Sequence, residues 1–438
     1  MDTEICFSGY SINRDTTPPH FIENIRRELY VKPVILGQNN FAESVKEYPV
    51  FRASAKKIYL PRYYGITNYG KPKNYTLPEG EDINVEFVGT LREIQTNTIS
   101  ETIKAFEEHG GGLVSLDTGL GKTVVALKLI CEMKKKALII VHAQFLLEQW
   151  IERIKTFIPS ARIGIIKRDI CNYVDCDIVV GMLQSIISRD YPKECMKSFG
   201  LLTVDECHHI GSKTFSGIFF KIQTKYMLGL SATPERKDGL SKVIYWFLGP
   251  QIVNIKRSFN KPSIQFIFND VSDYTEKFNR NGKVNSPIMI TDLTLKESRN
   301  KIIIDLINEL LKNSNRKILL LSDRRSHCEL LKRELDILGI SNGLYLGGMK
   351  TESRNDSVLT NVILGTYQAS GEGFDVPTLD TLILSTPKSD VEQAVGRILR
   401  QKNENDPIVY DIVDSFSIFK GQYYKRKKFY NNNKFLIN

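Results

Sequence analysis

The chain has 438 residues, 42% of them hydrophobic and 25% charged, which is an ordinary globular composition with room for two or three domains. No run approaches about 18 consecutive apolar residues, which argues against a membrane-spanning helix, and the start Met1-Asp-Thr-Glu lacks the basic-then-apolar order of a secretory signal. Seven scattered cysteines with no C-x-x-C pair argue against a disulfide framework or a zinc site and for reduced thiols in an intracellular, non-secreted protein. The net charge of +10 suits a polyanion partner, and six of those charges fall in residues 416–438, on Lys420, Lys425, Arg426, Lys427, Lys428 and Lys434, without one acidic residue.

In chain order, residues 1–85 read as a small first domain whose loops are marked by Pro18-Pro19 and by Pro72, Pro78 and Gly80. In Lys56–Lys71 aromatic residues alternate with cations, so Arg62 and Tyr63 are candidates to stack bases and hold phosphates. The other reading is a packed subdomain with half-buried tyrosines. Thr90 is a good N-cap for a helix running to about Glu108, and Arg92 and Gln95 share a face of it, in position to read an adenine edge.

Leu113–Leu127 is then a short apolar strand, a glycine turn and a helix. In the turn, Asp117-Thr118-Gly119-Leu120-Gly121, glycines let successive N–H groups curl toward a phosphate, and the helix adds its positive end. Lys122 would reach the β- and γ-phosphates of ATP and the Thr123 hydroxyl would ligate Mg²⁺. Leu116 stands where the general P-loop pattern has its first glycine.

Strands and helices alternate from there, the signature of a parallel sheet covered on both faces. The apolar strand Leu201–Val204 delivers Asp205 and Glu206 at its carboxyl end, where α/β sheets bind ligands. Asp205 would hold Mg²⁺ and Glu206 would activate water. His208 could link this site to Ser231-Ala-Thr233, whose hydroxyls end the next strand. The pattern breaks between Leu248-Gly-Pro250 and Pro262, giving a first lobe at 86–250 and a second α/β lobe at 263–415, followed by a basic tail at 416–438. In Asp390–Leu399, read as a helix, Gln393, Arg397 and Arg400 fall at helical spacing on one face, and an arginine there can stabilise charge on a transferred phosphoryl group.

The ordered set Leu-Arg-Glu-Ile-Gln, Thr-Gly-Leu-Gly-Lys-Thr, Asp-Glu-Cys-His, Ser-Ala-Thr, Gly-Glu-Gly-Phe-Asp and Gln-Ala-Val-Gly-Arg-Ile-Leu-Arg resembles a superfamily 2 helicase of the DExH type over residues 88–415. It is most similar to the branch holding XPB, the phage UvsW helicase and the transcript-release helicases of poxviruses and other large DNA viruses. That class does not require the first P-loop glycine. The resemblance implies an α/β fold with two tandem RecA-like parallel-sheet lobes behind the N-terminal domain, and an ATPase that moves along a nucleic-acid strand, DNA favoured. It gives Arg92 and Gln95 to adenine, Thr118, Gly119, Leu120, Gly121, Lys122 and Thr123 to phosphates and metal, and Gly373 and Asp375 to the nucleotide from lobe two. It makes Arg397 and Arg400 the arginine-finger pair, Gln393 a coupling residue beside His208, Ser231 and Thr233, and Gln144, Gln184 and Thr366 contacts to the strand. Arg236-Lys-Asp238 is a loose match to the Arg-Glu-Asp element of XPB. The resemblance also brings in RNA polymerase or the transcription machinery as a partner and a virion or infected cell as the setting. The alternative is a nucleotide-gated module that clamps nucleic acid or a polymerase without separating strands.

Overall fold

The computed structural model describes residues 2–34, 47–117, 119–211, 216–236, 238–256, 261–371, 374, 376–399, 403 and 405–438. They fall into two compact units, Met1–Arg257 and Ser258–Asn438. No helix among the described residues is long and apolar enough to cross a membrane.

The first unit begins with a small sheet of β1 (Thr3–Cys6), β2 (Gly9–Asn13), β3 (Arg52–Ala53), β4 (Lys57–Leu60) and β5 (Asn74–Tyr75), in the order β3-β4-β2-β1-β5. It is antiparallel except where β5 joins β1. Ile5, Ile12, Ile58 and Leu60 bury one face of it against Ile25 and Leu29 of helix α1 (Pro19–Leu29), whose first residue is a proline that needs no donor there. Helix α2 (Arg62–Tyr69) follows β4 directly.

Lobe one is an eight-stranded sheet built of β6 (Gly111–Leu116), β7 (Ala137–Val141), β8 (Ile163–Lys167), β9 (Ile170–Asn172), β10 (Ile178–Met182), β11 (Leu201–Val204), β12 (Tyr226–Ser231) and β13 (Gln251–Ile255). The order is β9-β8-β10-β7-β11-β12-β6-β13, parallel except for the β8–β9 hairpin. Its central strands are continuous apolar runs because both faces are covered. Leu138, Ile140, Leu202 and Val204 enter one core, and Ala137, Ile139, Val141 and Leu201 enter the other. The covering helices include α3 (Glu93–His109), α4 (Lys122–Met133), α5 (Gln144–Phe157), α6 (Leu183–Ser188) and α7 (Ser241–Leu248). Two boundaries shift from the sequence reading. Helix α3 starts at Glu93 with Arg92 as its N-cap rather than at Thr90. Strand β13, which fell in the expected boundary, pairs with β6 and so belongs to lobe one.

Lobe two is an all-parallel sheet of β14 (Ser263–Asn269), β15 (Ile318–Ser322), β16 (Asn342–Tyr345), β17 (Val362–Thr366), β18 (Thr381–Leu384), β19 (Ile408–Asp414) and β20 (Leu436–Ile437), in the order β16-β17-β15-β18-β19-β14-β20. Helices α8 (Glu297–Asn313), α9 (Arg325–Ile337) and α10 (Thr351–Leu359) join its central strands. The segment 416–438 is not a loose tail. It forms helix α12 (Ser417–Asn432), after the short α11 (Glu392–Val395), and then β20 on the sheet edge. The inner face of α12 buries Phe419, Tyr423, Arg426 and Tyr430. Arg426 makes a two-pronged pair with Asp411 of β19, Nε to Oδ2 at 2.7 Å and Nη2 to Oδ1 at 2.8 Å, and the Tyr430 hydroxyl donates to Oδ2 at 3.0 Å. A second such pair, Arg299–Asp414, joins α8 to β19 with both side chains fully buried.

Candidate active site

In an open parallel sheet the loops at the carboxyl ends of the strands form the ligand-binding edge. In lobe one that edge carries Asp117 after β6, His142 after β7, Gln184 after β10, Asp205 after β11 and Thr233 after β12.

The glycine turn is held from behind by α3. Gly119 and Gly121 adopt φ of 79° and 91°, the left-handed region where a side chain is strained. A Cβ at Gly121 would stand 2.2 Å from Gln95 Nε2, so the close approach of α3 also demands glycine. Gln95 Nε2 donates to the Leu120 carbonyl at 3.1 Å, Arg92 Nη2 to the Gly119 carbonyl at 3.2 Å, and the Arg92 N–H to Gln95 Oε1 at 2.9 Å. The two residues expected at adenine therefore also fix the phosphate loop. Lys122 Nζ donates to the Leu116 carbonyl at 2.9 Å, and the Leu116 side chain is wholly buried in the lobe-one core. A glycine at 116 would forfeit that packing.

Asp205 and Glu206 follow β11. Oδ1 of Asp205 accepts the Glu206 N–H at 3.0 Å, and Oδ2 accepts the indole N–H of Trp150 at 2.8 Å. Burial, and after it the Glu206 charge, pushes the Asp205 carboxyl up to about 6. Trp150 is buried in α5, and a buried indole needs an acceptor. Glu206 has φ of +46°, a conformation that costs a non-glycine residue about 1–2 kcal/mol and that concentrates at functional sites.

The expected coupling residues of this lobe come together. His208 Nδ1 lies 3.1 Å from Ser231 Oγ and 3.3 Å from Glu206 Oε2, and Ser231 Oγ accepts the Thr233 N–H at 3.1 Å. The His208 carbonyl accepts from Arg236, which Asp238 holds through an Nε–Oδ1 bond of 2.9 Å. The His209 ring sits beside both His208 and His142, with centroids 4.3 and 4.1 Å apart. Gln184 Nε2 donates to the His142 carbonyl at 2.7 Å. A continuous set of contacts thus runs from Glu206 to the loop after β7. Gln144 is exposed at the start of α5, with Nε2 on Glu148 Oε1 at 2.8 Å.

Two expectations are corrected. Arg62 and Tyr63 are not strand-facing. They are 4% and 7% exposed, because α2 plugs into lobe one. Arg62 Nη1 donates to the Thr224 and Lys225 carbonyls at 3.0 and 3.2 Å, and the Tyr63 hydroxyl to the His109 carbonyl at 3.2 Å. Second, the stretch expected as the helix Asp390–Leu399 is one α-turn, α11, followed by a 3₁₀ turn over Gly396–Leu399. The tighter winding breaks the 3.6-residue register that put Gln393 and Arg397 on one face. Gln393 is exposed, whereas Arg397 is buried with Nη1 on the Phe374 carbonyl at 2.6 Å. Thr366, half-buried at the end of β17, also caps its own turn, its Oγ1 accepting the Ala369 N–H at 3.2 Å. Thr118, Gly373, Asp375 and Arg400 lie outside the described residues.

Two family models match the chain. Residues 89–236 match "Type III restriction enzyme, res subunit" and residues 298–402 match "Helicase conserved C-terminal domain". A protein of Acanthamoeba polyphaga mimivirus named "Putative ATP-dependent RNA helicase L396" is 36% identical over 456 residues, covering 100% of this chain and 86% of its own. The chain belongs to the superfamily 2 helicases. It falls among their viral members: helicase 161L of invertebrate iridescent virus 6 is 30% identical over 80% of this chain and 82% of its own, and QP509L of African swine fever virus is 28% identical over 75% and 70%. Among solved structures, S. cerevisiae Dbp5 bound to RNA and ADP BeF3 matches with a TM-score of 0.56 at 11% identity, over 80% of this helicase and 90% of Dbp5, a likeness of fold. The helicase is thus an ATP-dependent enzyme with two RecA-like lobes.

Proposed function

We propose that this helicase couples hydrolysis of Mg²⁺-bound ATP to movement along a nucleic-acid strand, with hydrolysis carried by the carboxyl edge of lobe one. The observation that supports this most is the unbroken contact set from Arg92 and Gln95 through the glycine turn, and from Asp205 and Glu206 through His208 to Ser231 and to His142. The donor set suits magnesium. Asp205 and Thr123 offer hard oxygens and leave the remaining positions to water and phosphate, as Mg²⁺ prefers. When bound, the cation supplies charge neutralisation at the β- and γ-phosphates. The turn N–H groups of 119–123 and the Lys122 ammonium bind and orient the phosphates. Glu206 takes the proton of the attacking water as that oxygen bonds the γ-phosphorus and the bridging oxygen leaves with ADP. Arg397, by the family resemblance, adds positive charge to the transition state, with Arg400, Gly373 and Asp375 assigned on the same ground. Gln144, Gln184 and Thr366 remain strand contacts in this reading, and Arg62 and Tyr63 do not.

Steady-state turnover with single-stranded DNA, duplex DNA and RNA tests the proposal. Strand-stimulated hydrolysis is expected, and Glu206→Gln should lower kcat by about 10²–10⁴-fold, the range for a general base. Undiminished turnover in a folded Glu206→Gln protein would overturn it. DNA is the favoured track by resemblance to XPB and UvsW, and stronger stimulation by RNA would put the track named for the mimivirus and swine-fever relatives first. A forked-duplex assay then separates unwinding from translocation or remodelling alone. The resemblance to transcript-release helicases adds RNA polymerase as a partner, read out by transcript release from a stalled elongation complex.

A further inference from the structure

Helix α12 has two faces. The inner one uses a single cation, Arg426, to neutralise Asp411. The outer one exposes Lys420, Lys425, Lys427 and Lys428, and Lys434 follows the helix. Residues 417–438 hold no Asp or Glu, so no acid within the helix relieves the Lys425–Lys428 repulsion at i, i+3. Among the described residues, none of these lysines pairs with a carboxylate. A merely solvated helix ordinarily mixes signs.

The same surface carries aromatic rings. Tyr424 is 55% exposed and Phe268, on β14, is 61% exposed. They flank Tyr423, whose ring centroid lies 5.2 Å from Tyr424 and 5.9 Å from Phe268, with Lys427 Nζ 5.9 Å away. An exposed pair of large rings among uncompensated lysines matches what an unpaired strand offers, stackable bases on a phosphate chain. Duplex DNA would use the charges and leave the rings idle.

We propose that the outer face of α12, together with Phe268, is a binding surface for single-stranded nucleic acid on lobe two. The choice of occupant rests on the strand-translocase reading, whereas the surface itself rests on its own charges and rings.

The test uses the full chain and fluorescence anisotropy with a labelled oligothymidylate over a range of salt. In Lys420→Gln/Lys427→Gln/Lys428→Gln, the slope of log K against log salt should shrink by about 2, at about 0.7 per lost phosphate contact. Tyr424→Ala should weaken single-strand binding about tenfold, within the range for one lost stack, and leave a blunt duplex unaffected. An unchanged salt slope in the lysine variant would overturn the surface. Equal weakening on single strand and duplex in Tyr424→Ala would overturn the single-strand occupant. These positions are exposed, and unchanged circular-dichroism melting separates lost contact from lost fold. Anisotropy needs no turnover, so a protein that binds through α12 but hydrolyses no ATP would refute the proposed function and leave this surface standing.

Discussion

Trp150 fixes the rotamer of Asp205 through one hydrogen bond to a carboxylate oxygen, as an outer-shell partner does for a metal ligand. Trp150→Phe keeps most of the ring volume and removes the donor. The expected result is a 10–100-fold fall in turnover with a raised Mg²⁺ requirement, measured as kcat over a magnesium titration, while Kd for ATP without metal stays near wild type. His327 gives a second test at this scale. Its ring nitrogens lie 3.0 Å from Ser322 Oγ and from Asn300 Oδ1, and burial, with the Arg299 charge behind it, holds its pKa down at about 3. Unfolded, it returns to about 6.5. Below pH 6.5 the unfolded chain therefore takes up a proton that the folded one refuses. Stability from this group is constant above that pH, falls as pH drops, and is lower by about 1.4 kcal/mol at pH 5.5. Urea unfolding followed by circular dichroism at pH 8 and 5.5 should show that loss in the wild type and not in His327→Gln. Neither role stood out in the sequence, because Asp205 lies 55 residues from Trp150 and Asn300 lies 27 residues from His327.

At the scale of elements, what was legible divides by how local the cause is. The glycine turn, Lys122 and the Asp205–Glu206 pair declare themselves, since strand, turn and helix there are consecutive and the glycines have a steric reason visible in sequence. Strands β13, β14 and β20 did not, because each is an edge or near-edge strand whose partner lies far away in sequence, or, for β13, one that sits in a stretch rich in turn residues. The Gln393–Arg397 face failed because helical spacing presumes α-winding, and the chain there tightens into a 3₁₀ turn. The basic segment misled because charge count does not show direction: Arg426 turns inward while its neighbours turn out. Arg426→Met should cost about 3–5 kcal/mol by leaving Asp411 buried and unpaired, whereas Lys428→Met, two residues on, should fall within about 0.5 kcal/mol of wild type. Urea midpoints of the two variants make the comparison.

For the molecule as a whole, the N-terminal domain of the first unit is joined to lobe one through α2 rather than held on a linker. Arg62 reaches three backbone carbonyls, those of Thr224, Lys225 and His109, and Tyr64 meets Trp246 of α7 edge-on, with centroids 5.3 Å apart. Arg62→Leu should destabilise the first unit by about 2–4 kcal/mol, the scale of buried carbonyls left without donors, and should leave oligonucleotide affinity of the folded protein at the wild-type value. Loss of affinity without loss of stability would restore the nucleic-acid role read from the sequence. The chain has only two tryptophans, and they mark two joints of this unit, Trp150 at Asp205 and Trp246 at the seam with the N-terminal domain. Replacing either by phenylalanine leaves a single tryptophan. The emission of Trp246→Phe then follows events at Asp205, that of Trp150→Phe follows the seam, and lobe two contributes no tryptophan light to either signal.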